Sequence, residues 1–245
     1  MIPREWIVPD WPVPARVRAF VTTRHGGVSR GAHASLNLGM ESGDDPRDVA
    51  RNRSIVGEHL PAVPRWMSQV HGTTVADLDA IPGEDIPEAD AAVTKAPGRV
   101  AVVLTADCLP LFFTDARGSR VAVAHAGWRG LSAGVIENTV SALGTDPQDI
   151  VAWMGPAIGP DAFEVGPEVR EAFMAADPRA AGAFRSHRPG KFMADLYALA
   201  RQRLERAGVR SVHGGGFCTR SDAERFFSYR REKASGRMGA FIWLG

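Results

Sequence analysis

Apolar residues in this chain fall into short blocks separated by polar turns, and the spacing within each block predicts its structure. Residues 16–24 (RVRAFVTTR) are rich in β-branched side chains, which predicts a strand running into the turn Gly26-Gly27-Val28-Ser29-Arg30-Gly31. Residues 100–104 (VAVVL) form an unbroken apolar run, as expected of a strand covered on both faces. Residues 109–114, 121–124 and 151–154 read the same way, and 66–70, 74–78, 211–217 and 240–244 are further strand candidates. Asp45-Pro46 marks a helix start: an acid able to cap, then a proline whose missing N–H costs nothing in the first turn. The helix that follows carries Val49, Val56 and Leu60 on one face. Asn52 and Arg53 fall on that same face, and a polar pair on an inward stripe is a local contradiction of the kind that marks sites. An arginine snorkelling at the rim of the core is the plain alternative.

After Gly127-Trp128-Arg129-Gly130, the residues Leu131, Val135, Thr139 and Leu143 share one helical face, and Gly144 closes it. Residues 167–176 and 192–207 predict two more helices, the second with a stripe of Leu196, Leu199, Ala200 and Leu204 stopped by Gly208. Strands and helices intermingle without repeat, low-complexity tract or linker. Residues 1–245 therefore read as one mixed α/β domain.

A chain of 245 residues builds a sizeable core without help from disulfides or a structural metal. Its 44% hydrophobic and 23% charged residues are ordinary globular values. The net charge of +1 argues against a basic nucleic-acid face or a polybasic membrane patch. Cys108 and Cys218 are too few for a disulfide framework. Residues 1–14 lack the pattern of a secretory signal, and no apolar run approaches the ~20 residues that cross a bilayer. A soluble, cytoplasmic protein that binds neither nucleic acid nor membrane is expected.

Three motifs end apolar blocks: Ser68-Gln69-Val70-His71-Gly72, Thr105-Ala106-Asp107-Cys108-Leu109-Pro110 and Ala124-His125-Ala126-Gly127-Trp128-Arg129-Gly130. They offer one thiol and two imidazoles, a set able to bind one Zn²⁺ and leave a fourth position for water. Such a metal brings the pKa of that water toward ~7. Three readings use the same atoms. In the first, His71, Cys108 and His125 share a metal. In the second, Cys108 is a nucleophile activated by His125, with Asp107 orienting the imidazole. In the third, Cys108 is a small buried hydrophobe and the histidines are satisfied core residues. His33, His59, His187 and His213 stand alone and receive no functional role. Residues 218–231 (CTRSDAERFFSYRR) mix aromatics and arginines at helical spacing, which suits core packing beside a solvated face or the wall of a pocket.

Taken in order, residues 20–29 (FVTTRHGGVS), 35–39 (SLNLG), Asn52-Arg53, 69–72, 106–110, 125–130, 155–166 (GPAIGPDAFEVG), Cys218-Thr219, 226–231 and Gly236-Arg237 resemble one family. Its members go by the names laccase-domain or polyphenol oxidase and are better described as zinc-containing purine nucleoside phosphorylases with adenosine deaminase activity. The resemblance spans nearly the whole chain; Ser235-Gly236-Arg237 stands where the family commonly has Thr-Gly-Arg. It implies two packed β-sheets flanked by helices, a four-layer α-β-β-α sandwich. It also implies His71, Cys108 and His125 as the catalytic zinc ligands, with Asn37 and Arg53 at the substrate pocket and Arg53 toward phosphate or ribose.

The implied reaction converts adenosine, inosine, guanosine or methylthioadenosine and phosphate to a free base and ribose 1-phosphate, or its methylthio analogue. Hydrolytic deamination of adenosine accompanies it. Bacterial relatives bring a different alternative, a Cys–His amidase that edits peptidoglycan precursors. The family's oxidase names bring another, a copper polyphenol oxidase. Multicopper oxidation needs a blue-copper centre and a trinuclear cluster, and the seven histidines here are few and scattered. One copper could still replace zinc in a Cys/His₂ set. The sequence leaves monomer and homodimer equally open.

Overall fold

A computed structural model describes residues 2–82 and 85–245. In chain order its strands are β1 (Val17–Val21), β2 (Val75–Asp77), β3 (Ala91–Thr94), β4 (Ala101–Thr105), β5 (Leu109–Asp115) and β6 (Val121–Ala126). There follow β7 (Ile150–Met154), β8 (Glu164–Val165), β9 (Phe184–Arg188), β10 (Lys191–Ala194), β11 (Ser211–Gly214) and β12 (Met238–Leu244). The α-helices are α1 (Pro46–Gly57), α2 (Trp128–Ala133), α3 (Val135–Leu143), α4 (Pro167–Ala176) and α5 (Leu196–Arg206).

Alternation along the strands sorts them into layers. β12 lies between β1 and β4, antiparallel to both, while β11-β7-β5-β6-β3-β2 make a six-stranded sheet. Val21, Val103 and Ile242 of the smaller sheet meet Phe112, Val123 and Trp153 of the larger one in a shared apolar interior. Their neighbours Phe20, Val102 and Trp243 point the other way and pack on Leu36, Leu38 and Val56, the last from α1. Beyond the larger sheet, Leu111, Phe113 and Ala152 meet Leu131 of α2, Val135 of α3 and Leu199 of α5. The order is helix, sheet, sheet, helices, the mixed α/β four-layer sandwich that the resemblance implies. β8-β10-β9 form a separate small sheet. No helix among the described residues is long and apolar enough to cross a membrane.

Local signals act where the sequence places them. The Asp45 carboxylate accepts the Arg47 N–H at 2.8 Å and opens α1. Gly144, at φ +60°, closes α3.

Several boundaries differ from expectation. The helix expected after Gly130 is split in two at Gly134, whose φ of +108° no helix interior accommodates. Residues 191–194 extend as β10, because Asp195 caps α5 by accepting the Ala198 N–H and the helix starts only there. Residues 66–70 form no strand: they hold one isolated bridge, Ser68–Glu88, next to another at Arg65–Ala101. β11 ends at Gly214, since Gly214, Gly215 and Gly216 all take positive φ. β3, β8 and β9 have no counterpart in the sequence reading; the alanines of β3 carry little strand propensity.

Candidate metal centre

β5 and β6 pair antiparallel, with Pro110 opposite His125 and Leu109 opposite Ala126. Cys108 immediately precedes β5, so this register sets it beside the end of β6. By alternation Cys108 and His125 share a face with Phe112 and Val123, which point between the two sheets. Gly127 completes the close approach: a Cβ there would stand 3.0 Å from both Cys108 Sγ and His71 Cδ2.

His71 arrives from outside the sheets on a loop held by Asp90. The fully buried Asp90 carboxylate accepts the backbone N–H groups of Val70 (3.1 Å), His71 (3.0 Å) and Gly72 (2.6 Å). His71 takes φ +60°, a region costly for a residue with a side chain, and the three hydrogen bonds hold it there. The same carboxylate accepts from His125 Nδ1 at 2.8 Å, which leaves Nε2 as the free ring nitrogen. Burial pushes Asp90 up, but hydrogen bonds from His125 and the Gly72 and Val70 N–H groups outweigh it and hold the carboxyl below its ordinary range. Asp90 is absent from the sequence candidates. Its signal was an acid inside the apolar run Ala89-Asp90-Ala91-Ala92-Val93.

Donor atoms of His71, Cys108 and His125 all lie within 4.8 Å of one another. Cys108 Sγ is 4.0 Å from His71 Nε2, and the two imidazoles meet edge to face with centroids 4.8 Å apart. Tetrahedral zinc holds its sulfur and nitrogen donors roughly 3.3–3.6 Å apart. Burial pushes the Cys108 thiol up, yet the charge of His125 and hydrogen bonds from both imidazoles bring it down to about 6. Burial pushes His125 down, yet Cys108 and Asp90 raise it to about 9. Where thiolate meets imidazolium, a divalent cation can take the place of the proton. One thiolate, two imidazoles and a carboxylate behind one of them suit zinc.

The triangle opens into a cavity of about 470 Å³, also lined by Arg53, Trp66, Gln69, Leu104, Tyr229 and Arg237. The Arg53 guanidinium stacks 3.7 Å from the Trp66 ring centroid, and its Nε donates to the Leu38 carbonyl at 3.0 Å. Burial brings this guanidinium down to about 10. Gln69 donates to the Leu104 carbonyl (2.9 Å) and accepts its N–H (2.7 Å), so a side-chain amide fastens the His71 loop to β4 as a strand would.

The polar pair of α1 divides its duties. Arg53 lines the cavity, whereas Asn52 is fully buried and accepts from Val28 N (2.8 Å) while donating to Ser29 Oγ (2.8 Å) and Asn37 O (2.9 Å). Asn37 is fully buried behind the lining. Its Oδ1 accepts from Gly39 N and Arg237 N, and its Nδ2 donates to Ser42 and Asp44. Asp107 accepts from Thr219 Oγ1 (2.6 Å) and Arg230 N (2.7 Å), so it anchors the 218–231 segment. The imidazole-orienting role expected of Asp107 belongs to Asp90. Residues 218–231 form turns instead of a helix, placing Phe226 and Phe227 in the core and Tyr229 on the cavity. Tyr229 thus supplies the pocket wall that this segment offers as one of its two readings, whereas Gln69 and Arg237 are cavity residues that no sequence signal marks.

Comparison with known proteins agrees with this architecture. The family described as multi-copper polyphenol oxidoreductase laccase matches residues 18–245. A Pseudomonas aeruginosa protein named purine nucleoside phosphorylase is 55% identical over 240 residues, covering 98% of each chain. An Escherichia coli protein named purine nucleoside phosphorylase YfiH is 53% identical over 240 residues, covering 97% of this chain and 98% of its own. A solved Neisseria meningitidis protein matches with a TM-score of 0.94 at 49% identity, over 98% of this chain and 99% of that one. YlmD from Geobacillus stearothermophilus gives 0.92 at 33% identity, over 100% of this chain and 97% of its own. The chain belongs to the multi-copper polyphenol oxidoreductase laccase family, beside relatives that bear the name purine nucleoside phosphorylase.

Proposed function

We propose that this chain is a zinc-dependent purine nucleoside phosphorylase that also deaminates adenosine. One observation carries the reading: His71, Cys108 and His125 converge on a cavity that also holds two arginines. The names of the relatives supply the substrates, purine nucleoside and phosphate. The cavity volume falls in the roughly 300–1,000 Å³ range of small-molecule sites.

In phosphorolysis a phosphate oxygen bonds to ribose C1′ as the C1′–N bond breaks, and the purine leaves with the electron pair. In deamination water adds at C6 of adenosine and ammonia leaves. Zinc held by His71, Cys108 and His125 would supply hydroxide near neutral pH. Arg53 brings positive charge for phosphate, and the exposed ring of Tyr229 offers an apolar face to a purine. Asp90 keeps the His125 ring in register throughout. A reducing, cytoplasmic setting keeps Cys108 reduced and free to ligate.

Adenosine and phosphate should yield adenine and ribose 1-phosphate, and inosine should form without phosphate. Chelation should abolish both reactions and added zinc restore them. Full activity in Cys108→Ala would overturn the ligand assignment. The thiolate–imidazolium pairing favours one second reading, a Cys–His amidase acting on peptidoglycan precursors. That enzyme would survive chelation and die on alkylation. A copper polyphenol oxidase is poorly supported, because the described residues hold one three-residue ligand group and no cluster for several coppers. Copper in place of zinc would account for weak oxidation.

A further inference from the structure

We infer that Arg237 joins Arg53 in a two-arginine clamp for the phosphate co-substrate, built on the segment Asn37-Leu38-Gly39. The inference rests on the phosphorylase reading and deepens it.

Both arginines line the same cavity as His71, Cys108 and His125. Both are anchored on the same three residues. Arg53 Nε donates to the Leu38 carbonyl, and the Leu38 N–H donates to the Arg237 carbonyl at 3.1 Å. The Arg237 N–H donates to Asn37 Oδ1 at 2.9 Å, and the Arg237 side chain runs close over Gly39, where a Cβ would meet its Cγ at 2.7 Å. Arg237 NH1 is further held by the carbonyls of Ser235 (2.6 Å) and Gly236 (3.1 Å). One segment therefore holds the backbone of Arg237 and, from the other side, the Nε of the Arg53 guanidinium.

Neither guanidinium has a carboxylate partner within 4 Å among the described residues. The acid on this cavity is Glu41, exposed at its rim. Burial lowers both arginines: at Arg53 it is the whole cause, and at Arg237 the negative charges of Cys108 and Asp107 offset it only in part. Two forked cations fixed on one segment suit a tetrahedral dianion, which each can grip through paired N–H groups. Asn37 thus acts on substrate through Arg237 and Gly39, as a positioning residue.

Steady-state phosphorolysis of adenosine by the zinc-loaded protein at varied phosphate tests the clamp. Arg237→Met should raise the KM for phosphate about tenfold or more, with a far smaller change in the KM for adenosine. Arg237→Lys should recover part of the loss. Inorganic phosphate should raise the melting temperature of the wild type and leave Arg237→Met unmoved. A wild-type phosphate KM together with wild-type thermal protection in Arg237→Met overturns the clamp and leaves the phosphorylase reading standing. If the wild type does not phosphorolyse adenosine, that reading falls. Thermal protection then decides the clamp alone: a wild-type shift lost in Arg237→Met upholds it, and no wild-type shift overturns it. Should Arg237→Met fail to fold, Arg53→Met and Arg237→Lys carry the same measurements with the same expected direction.

Discussion

Asp90 grips His125 twice: its carboxylate accepts from the ring Nδ1 at 2.8 Å, and its carbonyl accepts the His125 backbone N–H at 2.7 Å. Since the same carboxylate carries the His71 loop, one buried acid sets the position of two of the three donor side chains.

Asp90→Ala should therefore injure stability and metal binding together. Three loop N–H groups and an imidazole lose a buried acceptor, a loss of about 3 kcal/mol or more. Zinc affinity should fall 10- to 100-fold, a typical cost of removing the partner behind a ligating histidine. Denaturant unfolding and titration against a competing chelator measure the two effects. Undiminished zinc affinity in Asp90→Ala would remove the positioning role.

Gly127→Ala should separate the two effects. Gly127 has φ −65°, which alanine adopts freely, so the backbone and α2 should persist. The added methyl, however, meets Cys108 Sγ and His71 Cδ2 at 3.0 Å. Zinc content should drop while the circular dichroism spectrum stays native. A fully loaded Gly127→Ala protein would show that the three donors have room to spare.

Asn52→Ala and Arg53→Met, neighbours on α1, should behave oppositely. Asn52 satisfies several buried backbone and hydroxyl groups, so its loss should cost about 3 kcal/mol in urea unfolding. Arg53→Met gives up one backbone hydrogen bond and a stack on Trp66, about 1 kcal/mol or less. Its deficit should appear in phosphate dependence. Equal destabilisation by both changes would contradict this division.

Acid sensitivity should trace in part to Asp115, far along β5 from Cys108. Burial pushes this carboxyl up, but the Ser119 hydroxyl and N–H, both at 2.6 Å, outweigh it and hold it below the ordinary 3.8. A group lowered by folding stabilises the protein above its unfolded pKa and loses that contribution as pH falls through the folded value. Asp115→Asn should be about 1–3 kcal/mol less stable than wild type at neutral pH. The gap should narrow below about pH 4. Unfolding curves with the same gap at pH 7 and pH 3 would contradict the assignment.

The layered fold was readable because β7 and β12 are unbroken apolar runs and β4 and β5 are apolar until their last residues, and α1 and α3 carry caps written in Asp45, Pro46 and Gly144. Alternation could not reveal β3, whose alanines pack by smallness and not by strand preference. The three donor residues stood out because each ends an apolar block. Asp90 and Gln69 did not, since their roles are bonds to the backbone of distant residues, which no local pattern records. Asp107 misled for a related reason: adjacency to Cys108 in the chain became separation in space, because strand entry turns consecutive side chains opposite ways.

Within Thr105-Ala106-Asp107-Cys108-Leu109 the polypeptide leaves one β-layer and joins the other. Leu104 and Arg237 border the cavity from the first layer, Cys108 and His125 from the second. A molecule lodged there touches both slabs and acts as a rivet across the joint. Filling the hollow should toughen the whole sandwich against shear, so resistance to unfolding and possession of a bound guest become a shared quantity.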